Sequence, residues 1–445
     1  MFTSLRLKQF KSWKDTGQIT LAPVTLVLGT NSSGKSSLIQ SLLLLKQTVE
    51  SPDRTIHLNL GGDDATDLFN FGDFESIHKQ GARQGARQGA RNRHFSIDFS
   101  FKRISTGQRR EQVKAVRFAA SYGRNSAGSP VIQELRLEDN SEDGHSFRIE
   151  RQDKGAFSIF VDPAKKPLGK SRDYAPERSI AFSRQALSLL GEKGHLAEDI
   201  SLAIDNELKD LTYLGPLRRQ PERDYVWNRA KPGKIGVDGH HAIDALLAST
   251  RLHRATSSEH NRILNGVSQW LQKMNLAERL KVCQIGRSNR YEVVVDSHGV
   301  SANLLDVGTG ISQVLPVLTV AFFAPRGSTV VLEEPEIHLH PLAQSLLAEL
   351  FAEVRLERQI QFIVETHSEH LFRRMQTLIA RRTIQPEHCA MYFVERDQNG
   401  SQLRHLELDN YGRVKNWPNQ FFGDALGETA EQARLMFEQR MKEDK

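Results

Sequence analysis

Two cysteines in 445 residues, Cys283 and Cys389, with no Cys-x-x-Cys, speak against a disulfide framework and a thiolate zinc site. A reducing cytosol is the simplest compartment for such a chain. Long apolar runs are missing too. The longest, Ile311 to Ala324, is interrupted by Ser312, Gln313 and Thr319 and reads as a buried helix, so no membrane partner is expected. Met1 to Lys8 alternates apolar and polar residues like a strand, without the core of a signal peptide. No stretch sustains heptads over several turns, which excludes long coiled-coil arms. Nor does one sign of charge dominate: 60 Lys and Arg against 54 Asp and Glu leave a net +6, which permits a nucleic-acid partner without requiring one. The length suggests roughly two or three domains, each able to bury a core.

What is present is organised around Val24 to Ser37. A β-branched apolar run leads into Gly29-Thr30-Asn31-Ser32-Ser33-Gly34-Lys35-Ser36, followed by Ser37 and the apolar Leu38-Ile39 and Leu42 to Leu45. Strand, glycine-rich loop and helix in this order form a P-loop. Backbone N–H groups from Gly29 and from Asn31 to Ser37 would cradle phosphates of ATP at the helix N-terminus. Lys35 would reach the β/γ-phosphates, and the Ser36 hydroxyl would ligate Mg²⁺.

Further along, Gly-Ala-Arg-Gln recurs at 81, 85 and, with Asn92 for the last residue, 89. Its glycines disfavour a helix, so a solvated basic loop is expected, with nucleic-acid contact the alternative. From Phe95 to Val161 the period is two, with turns at Gly123, Gly128-Ser129-Pro130 and Asp143-Gly144, as in an antiparallel meander. Helical spacing returns over 180–213, 241–251 and 259–274, separated by an arginine-rich loop at 213–225. A hairpin turns at Asp296-Ser297-His298-Gly299. The segmentation expected is 1–75 with the P-loop, 76–175 as a β-rich insert, 176–300 helical with the hairpin, 301–395 with the second half of the nucleotide machinery, and 396–445 as a small C-terminal domain.

That second half has three parts. Ser328 to Leu332 is a buried strand running into Glu333 and Glu334, the form of a Walker B element: Glu333 would be the metal-side acid and Glu334 the catalytic base. Ile360 to Ser368 is a further strand ending in Thr366-His367-Ser368, where His367 suits a γ-phosphate sensor. Asp306 to Pro316 is a glycine-bearing loop opening an apolar helix, and its N–H groups could bind a phosphate in trans. His338 and His340 resemble an H-x-H metal pair, but Pro341 starts a helix beside them and no metal is expected there.

The order of these motifs resembles the ABC-type ATPases of the Rad50, SMC, RecF and overcoming-lysogenization-defect group. More narrowly, it is similar to prokaryotic AAA-labelled ATPases with a small C-terminal domain of unknown function. Asn31 to Ser37, Tyr213 to Arg218, Asp306 to Gly308 with Ser312 to Pro316, and Asn416-Trp417-Pro418 with Phe421-Phe422 carry the resemblance. It implies an α/β two-lobed P-loop head with a mixed, largely parallel core sheet, an antiparallel β-rich insert and a helical subdomain. Two such heads would dimerise over two ATP molecules, with Gly308, Thr309 and Gly310 facing the partner's γ-phosphate and Asp306 where the signature serine is usual. Gln47 is a candidate Q-loop glutamine, and Lys11 to Trp13 would approach the nucleotide. A cytoplasmic, ATP-driven switch is implied, similar to ATPases of anti-phage defence modules such as Septu and acting through a separate nuclease. The alternatives are a RecF- or Rad50-like DNA-binding repair ATPase, a transporter motor, and an OLD-type nuclease, against which the absence of Asp-x-Asp after Asp397 argues.

Overall fold

The computed structural model describes residues 1–62, 67–78, 94–103, 113, 115–140, 144–251, 261–398 and 400–417. The Gly-Ala-Arg-Gln repeat and most of the expected 396–445 domain lie outside the described residues.

A six-stranded sheet forms the centre, in the order Thr212–Leu214, Thr329–Glu333, Gln361–Glu365, Val24–Gly29, Cys389–Asp397 and Gly400–His405. Its first five strands run parallel and the last returns antiparallel. Period-two alternation explains how one sheet serves two cores. Val24, Leu26 and Leu28 face one side with Val330, Leu332, Phe362 and Val364. Val27, Val331, Ile363 and Ala390 face the other. Against the first face pack helices Ala242–Arg251, Arg262–Lys273, Thr309–Phe323, Pro341–Arg358 and Glu369–Ala380. Against the second pack the P-loop helix Lys35–Glu50, the helix Lys193–Asp210 and a large antiparallel sheet.

That antiparallel sheet holds the expected meander, Phe95–Lys102, Ala115–Arg124, Pro130–Asp139, Ser146–Arg151 and Phe157–Val161. Phe2–Phe10 pairs with Phe95–Lys102 in the same sheet, so hydrogen bonding runs continuously across the expected 75/76 boundary. Alternation identifies strands but does not name their partners, which is why the N-terminal strand reads as separate in the sequence. The helical stretch 180–213 also resolves differently. Gly191, at φ +59°, breaks it into Arg184–Leu190 and Lys193–Asp210, and Thr212–Leu214 is an edge strand of the central sheet. Three residues are too few for a periodic signal. The hairpin forms as Arg290–Ser297 and Val300–Asn303, turning at His298 and Gly299 with φ of +51° and +75°. Among the described residues no helix is long and apolar enough to cross a membrane.

Candidate nucleotide site

Four parallel strands bring their carboxyl ends to one edge of the central sheet, the place where open α/β sheets bind ligands. The loop after Val24–Gly29 is held by close packing. At Gly29 (φ +146°) a Cβ would lie 2.1 Å from the Val394 carbonyl oxygen, and at Gly34 (φ +108°) 2.5 Å from both Ser12 Oγ and Ser401 Oγ. No side chain fits at either position. Buried Trp13 braces the same turn by donating its indole N–H to the Gly34 carbonyl at 3.2 Å. Lys11 donates to Gln40 Oε1 at 2.5 Å. Asn31 and Ser32 are exposed on the loop's outer side, while the buried Ser33 Oγ has no hydrogen-bond partner.

Lys35 is buried, and its Nζ donates to the carbonyls of Thr30 (2.8 Å) and Gly29 (3.2 Å). Burial lowers its pKa against the pull of Glu365, Glu334 and Glu333. Ser36 Oγ donates to Glu365 Oε1 at 3.0 Å, and Lys35 Nζ is 3.8 Å from the same oxygen. The second Glu365 oxygen, Oε2, is buried without a partner. Glu333 instead accepts from the Tyr213 hydroxyl at 3.1 Å. Burial pushes both carboxyls up to about 7; the charge of Glu365 adds to the effect on Glu333, and Lys35 opposes it at Glu365.

Glu334 lies just past its strand at φ +45°, a conformation a non-glycine residue adopts only when its surroundings hold it there. Three hydrogen bonds do so. Its own N–H donates to the Glu365 carbonyl at 2.8 Å, and buried Arg218 donates to the carbonyls of Glu334 (2.9 Å) and Glu333 (2.8 Å). Burial brings the Arg218 guanidinium down to about 10. The Glu334 carboxylate, half exposed, comes within 3.7 Å of His367 Nε2. Burial and the Lys35 charge lower the His367 pKa, favouring the neutral ring. Glu336 Oε1 then accepts both Thr366 Oγ1 and the His367 N–H, each at 2.7 Å.

These residues fit a magnesium nucleotide. Ser36 and the carboxylates of Glu333, Glu334 and Glu365 are hard oxygen donors of the kind Mg²⁺ takes. One oxygen atom each from Glu334 and Glu365 and one His367 nitrogen lie within 4.8 Å of one another. The unpartnered Glu365 Oε2 and Ser33 Oγ are the buried polar atoms a bound ligand would satisfy.

Other expected residues stand elsewhere. Gly308 and Thr309 are exposed at the start of helix Thr309–Phe323, and Gly310 packs against the His338 carbonyl. Among the described residues, no hydrogen bond joins them to the P-loop of their own chain. Asp306 forms a two-pronged pair with Arg223, at 2.7 and 3.0 Å. Gln47 is not available as a Q-loop ligand. It is buried, and its amide is committed to the backbone at Asn59 and Phe69. His340 caps helix Pro341–Arg358 through the Leu342 N–H.

A family model described as "AAA domain, putative AbiEii toxin, Type IV TA system" matches residues 24–373, from the P-loop strand through the histidine turn and into the helix after it. The chain belongs to this family. Within this AAA-domain family it carries an ABC-type P-loop ATPase fold. A second model, described as a protein of unknown function (DUF3696), matches residues 384–432. Among solved structures, the chain is similar to the SMC head domain from Thermotoga maritima, with 13% identity and a TM-score of 0.40 over 91% of this chain and 99% of that one. It is similar also to an SMC head bound to the C-winged helix domain of ScpA, with 12% identity and a TM-score of 0.44 over 92% and 98%. An SMC head domain with an extended coiled coil, bound to the C-terminal domain of ScpA derived from Pyrococcus furiosus, gives 11% and 0.43 over 92% and 96%. Comparison with curated proteins returned no match.

Four residues of this AAA-domain chain take part in the site without having been assigned a role from the sequence: Glu365, Arg218, Tyr213 and Glu336. The signal for Glu365 is an acid ending an otherwise apolar strand just before Thr366-His367. Glu365→Ala is expected to weaken Mn²⁺ binding in the presence of nucleotide by about tenfold or more, read by electron paramagnetic resonance. Unchanged Mn²⁺ affinity would leave Glu333 as the metal-side acid.

Proposed function

We propose that this protein binds ATP with Mg²⁺ and hydrolyses it as a dimeric conformational switch. The observation that carries the reading is the convergence of Lys35, Ser36, Glu333, Glu334, Glu365 and His367 on one sheet edge. Bound Mg²⁺ would offset the charge of the phosphate oxygens, held by Ser36 with Glu333 and Glu365. Lys35 leaves its loop carbonyls to pair with phosphate. Glu334, aimed by Arg218 and the Glu365 carbonyl, accepts the proton of the attacking water, while the neutral His367 ring donates to the γ-phosphate or orients that water. Gly308 and Thr309, exposed at the start of helix Thr309–Phe323, act with Gly310 on the nucleotide of a second copy.

The family's description, a putative toxin of a Type IV toxin–antitoxin system, supports a role in prokaryotic defence. We place the chain there as the cytoplasmic ATPase subunit that controls a separate effector such as a nuclease. If hydrolysis needs two chains, the ATPase rate per chain should rise with protein concentration and then level off as dimers saturate. A constant rate per chain while mass photometry shows only monomers would refute the shared site. Strong stimulation by DNA, weakening steeply with salt, would instead favour a repair ATPase.

A further inference from the structure

At the opposite edge of the central sheet lies a cavity of about 650 Å³. Most of its lining lies where strands begin: Leu211 and Thr212 open one, Pro325 and Arg326 precede Thr329–Glu333, and Arg358 precedes Gln361–Glu365, while Tyr213, whose hydroxyl bonds Glu333, borders it on the side of the nucleotide site. Five-residue strands separate this edge from Lys35 by about 15 Å.

Seven cationic side chains line the cavity and only one carboxylate, Asp210. Some of the cations are explained. Lys46 and Lys234 share Glu50, and Lys209 pairs with Asp205. Arg262, Arg326 and Lys231 have no carboxylate partner among the described residues, although all three are exposed. Arg358, 6% exposed, donates Nη1 and Nη2 to the carbonyls of Ala321 (2.8 Å) and Ala324 (2.6 Å), closing the end of helix Thr309–Phe323. Its Nε is buried without a partner. Burial and then the neighbouring charges of Arg262 and Arg326 bring Arg358 down to about 10, against the pull of Glu357. The helix end accounts for Arg358 but not for two further arginines gathered beside it. Solvent and Glu357 offset part of the repulsion among these charges, and a bound anion would offset more of it.

We infer that this cavity is a second anion site, taking a small phosphate-bearing molecule of nucleotide size. Arg262 and Arg326 supply planar N–H forks suited to phosphate oxygens. Half-buried Phe323, with Lys231 Nζ 5.8 Å from its ring, offers a flat face for a base. The volume falls within the range of about 300–1,000 Å³ typical of small-molecule sites, whereas a nucleic-acid strand needs a longer basic track. The site also bears on the nucleotide machinery. Lys46 belongs to the helix that begins at Lys35, so an occupant touches the far end of the P-loop helix.

The test is isothermal calorimetry on the full chain with inorganic tripolyphosphate as the probe, in a Lys35→Ala background that silences the first site. One tripolyphosphate per chain should still bind, and adding Arg262→Glu with Arg326→Glu should weaken it about tenfold or more. The same charge reversals in a chain with Lys35 intact should leave ATP binding at the P-loop unchanged. No heat in the Lys35→Ala chain, equal affinity after charge reversal, or loss of P-loop ATP binding on charge reversal would each overturn the inference. So would a single-stranded 12-mer that binds while tripolyphosphate does not, since that would mean a nucleic-acid track. If Lys35→Ala leaves two tripolyphosphates bound per chain, the P-loop assignment fails and the cavity is still judged by the charge reversals.

Discussion

Replacing Lys35 by alanine should lower ATP affinity by a factor of about 100 or more, measured by calorimetry or with a fluorescent nucleotide. Two charge-assisted hydrogen bonds to phosphate are lost, each contributing about 1.5–3 kcal/mol, and each 1.4 kcal/mol is tenfold in affinity. Stability in the absence of nucleotide should change much less. In the structure the Lys35 ammonium is bonded to two loop carbonyls and stands 3.8 Å from Glu365, too far for a hydrogen bond, while burial works against its charge. Alanine therefore removes a group that, on the proposed reading, exchanges these loop carbonyls for phosphate. A large drop in melting temperature with ATP affinity preserved would show the reverse, a lysine that holds the loop together and does not bind.

Glu334→Gln should bind ATP with near-normal affinity and slow its hydrolysis by about 10²- to 10⁴-fold, the range for loss of a positioned general base. Glutamine keeps the size of the side chain, and the hydrogen bonds that hold the backbone at φ +45° come from Arg218 and from residue 334's own N–H, not from the carboxylate. The position survives and only the proton acceptor is removed. Closed, ATP-bound dimers should then accumulate, visible by sedimentation. Wild-type turnover would move the base to another group, and Glu365 is the nearest candidate because its second oxygen is free.

The P-loop was legible because its information is local: two glycines, a lysine and a serine between an apolar strand and an apolar helix. The Walker B strand and the histidine turn were legible for the same reason. What escaped was adjacency between segments far apart in sequence. Glu365 meets Ser36 only because Gln361–Glu365 and Val24–Gly29 are parallel neighbours, a pairing that no periodicity announces. Arg218 reads in the sequence as one arginine of an arginine-rich loop, yet it is buried and grips the backbone of both Glu333 and Glu334. Gln47 fails in the opposite way: a glutamine near the end of the P-loop helix looks free to reach the ligand, but backbone groups at 59 and 69 occupy it.

One oxygen of Glu336 receives both the Thr366 hydroxyl and the His367 N–H. The turns that follow two neighbouring parallel strands are thus pinned at a common point, only two residues from Glu334. Through that pin, a displacement of the histidine turn reaches the loop carrying Glu334, and a shift of that loop reaches His367. Glu334 and His367 are therefore coupled through one shared anchor, so the groups proposed as proton acceptor and sensor would move together.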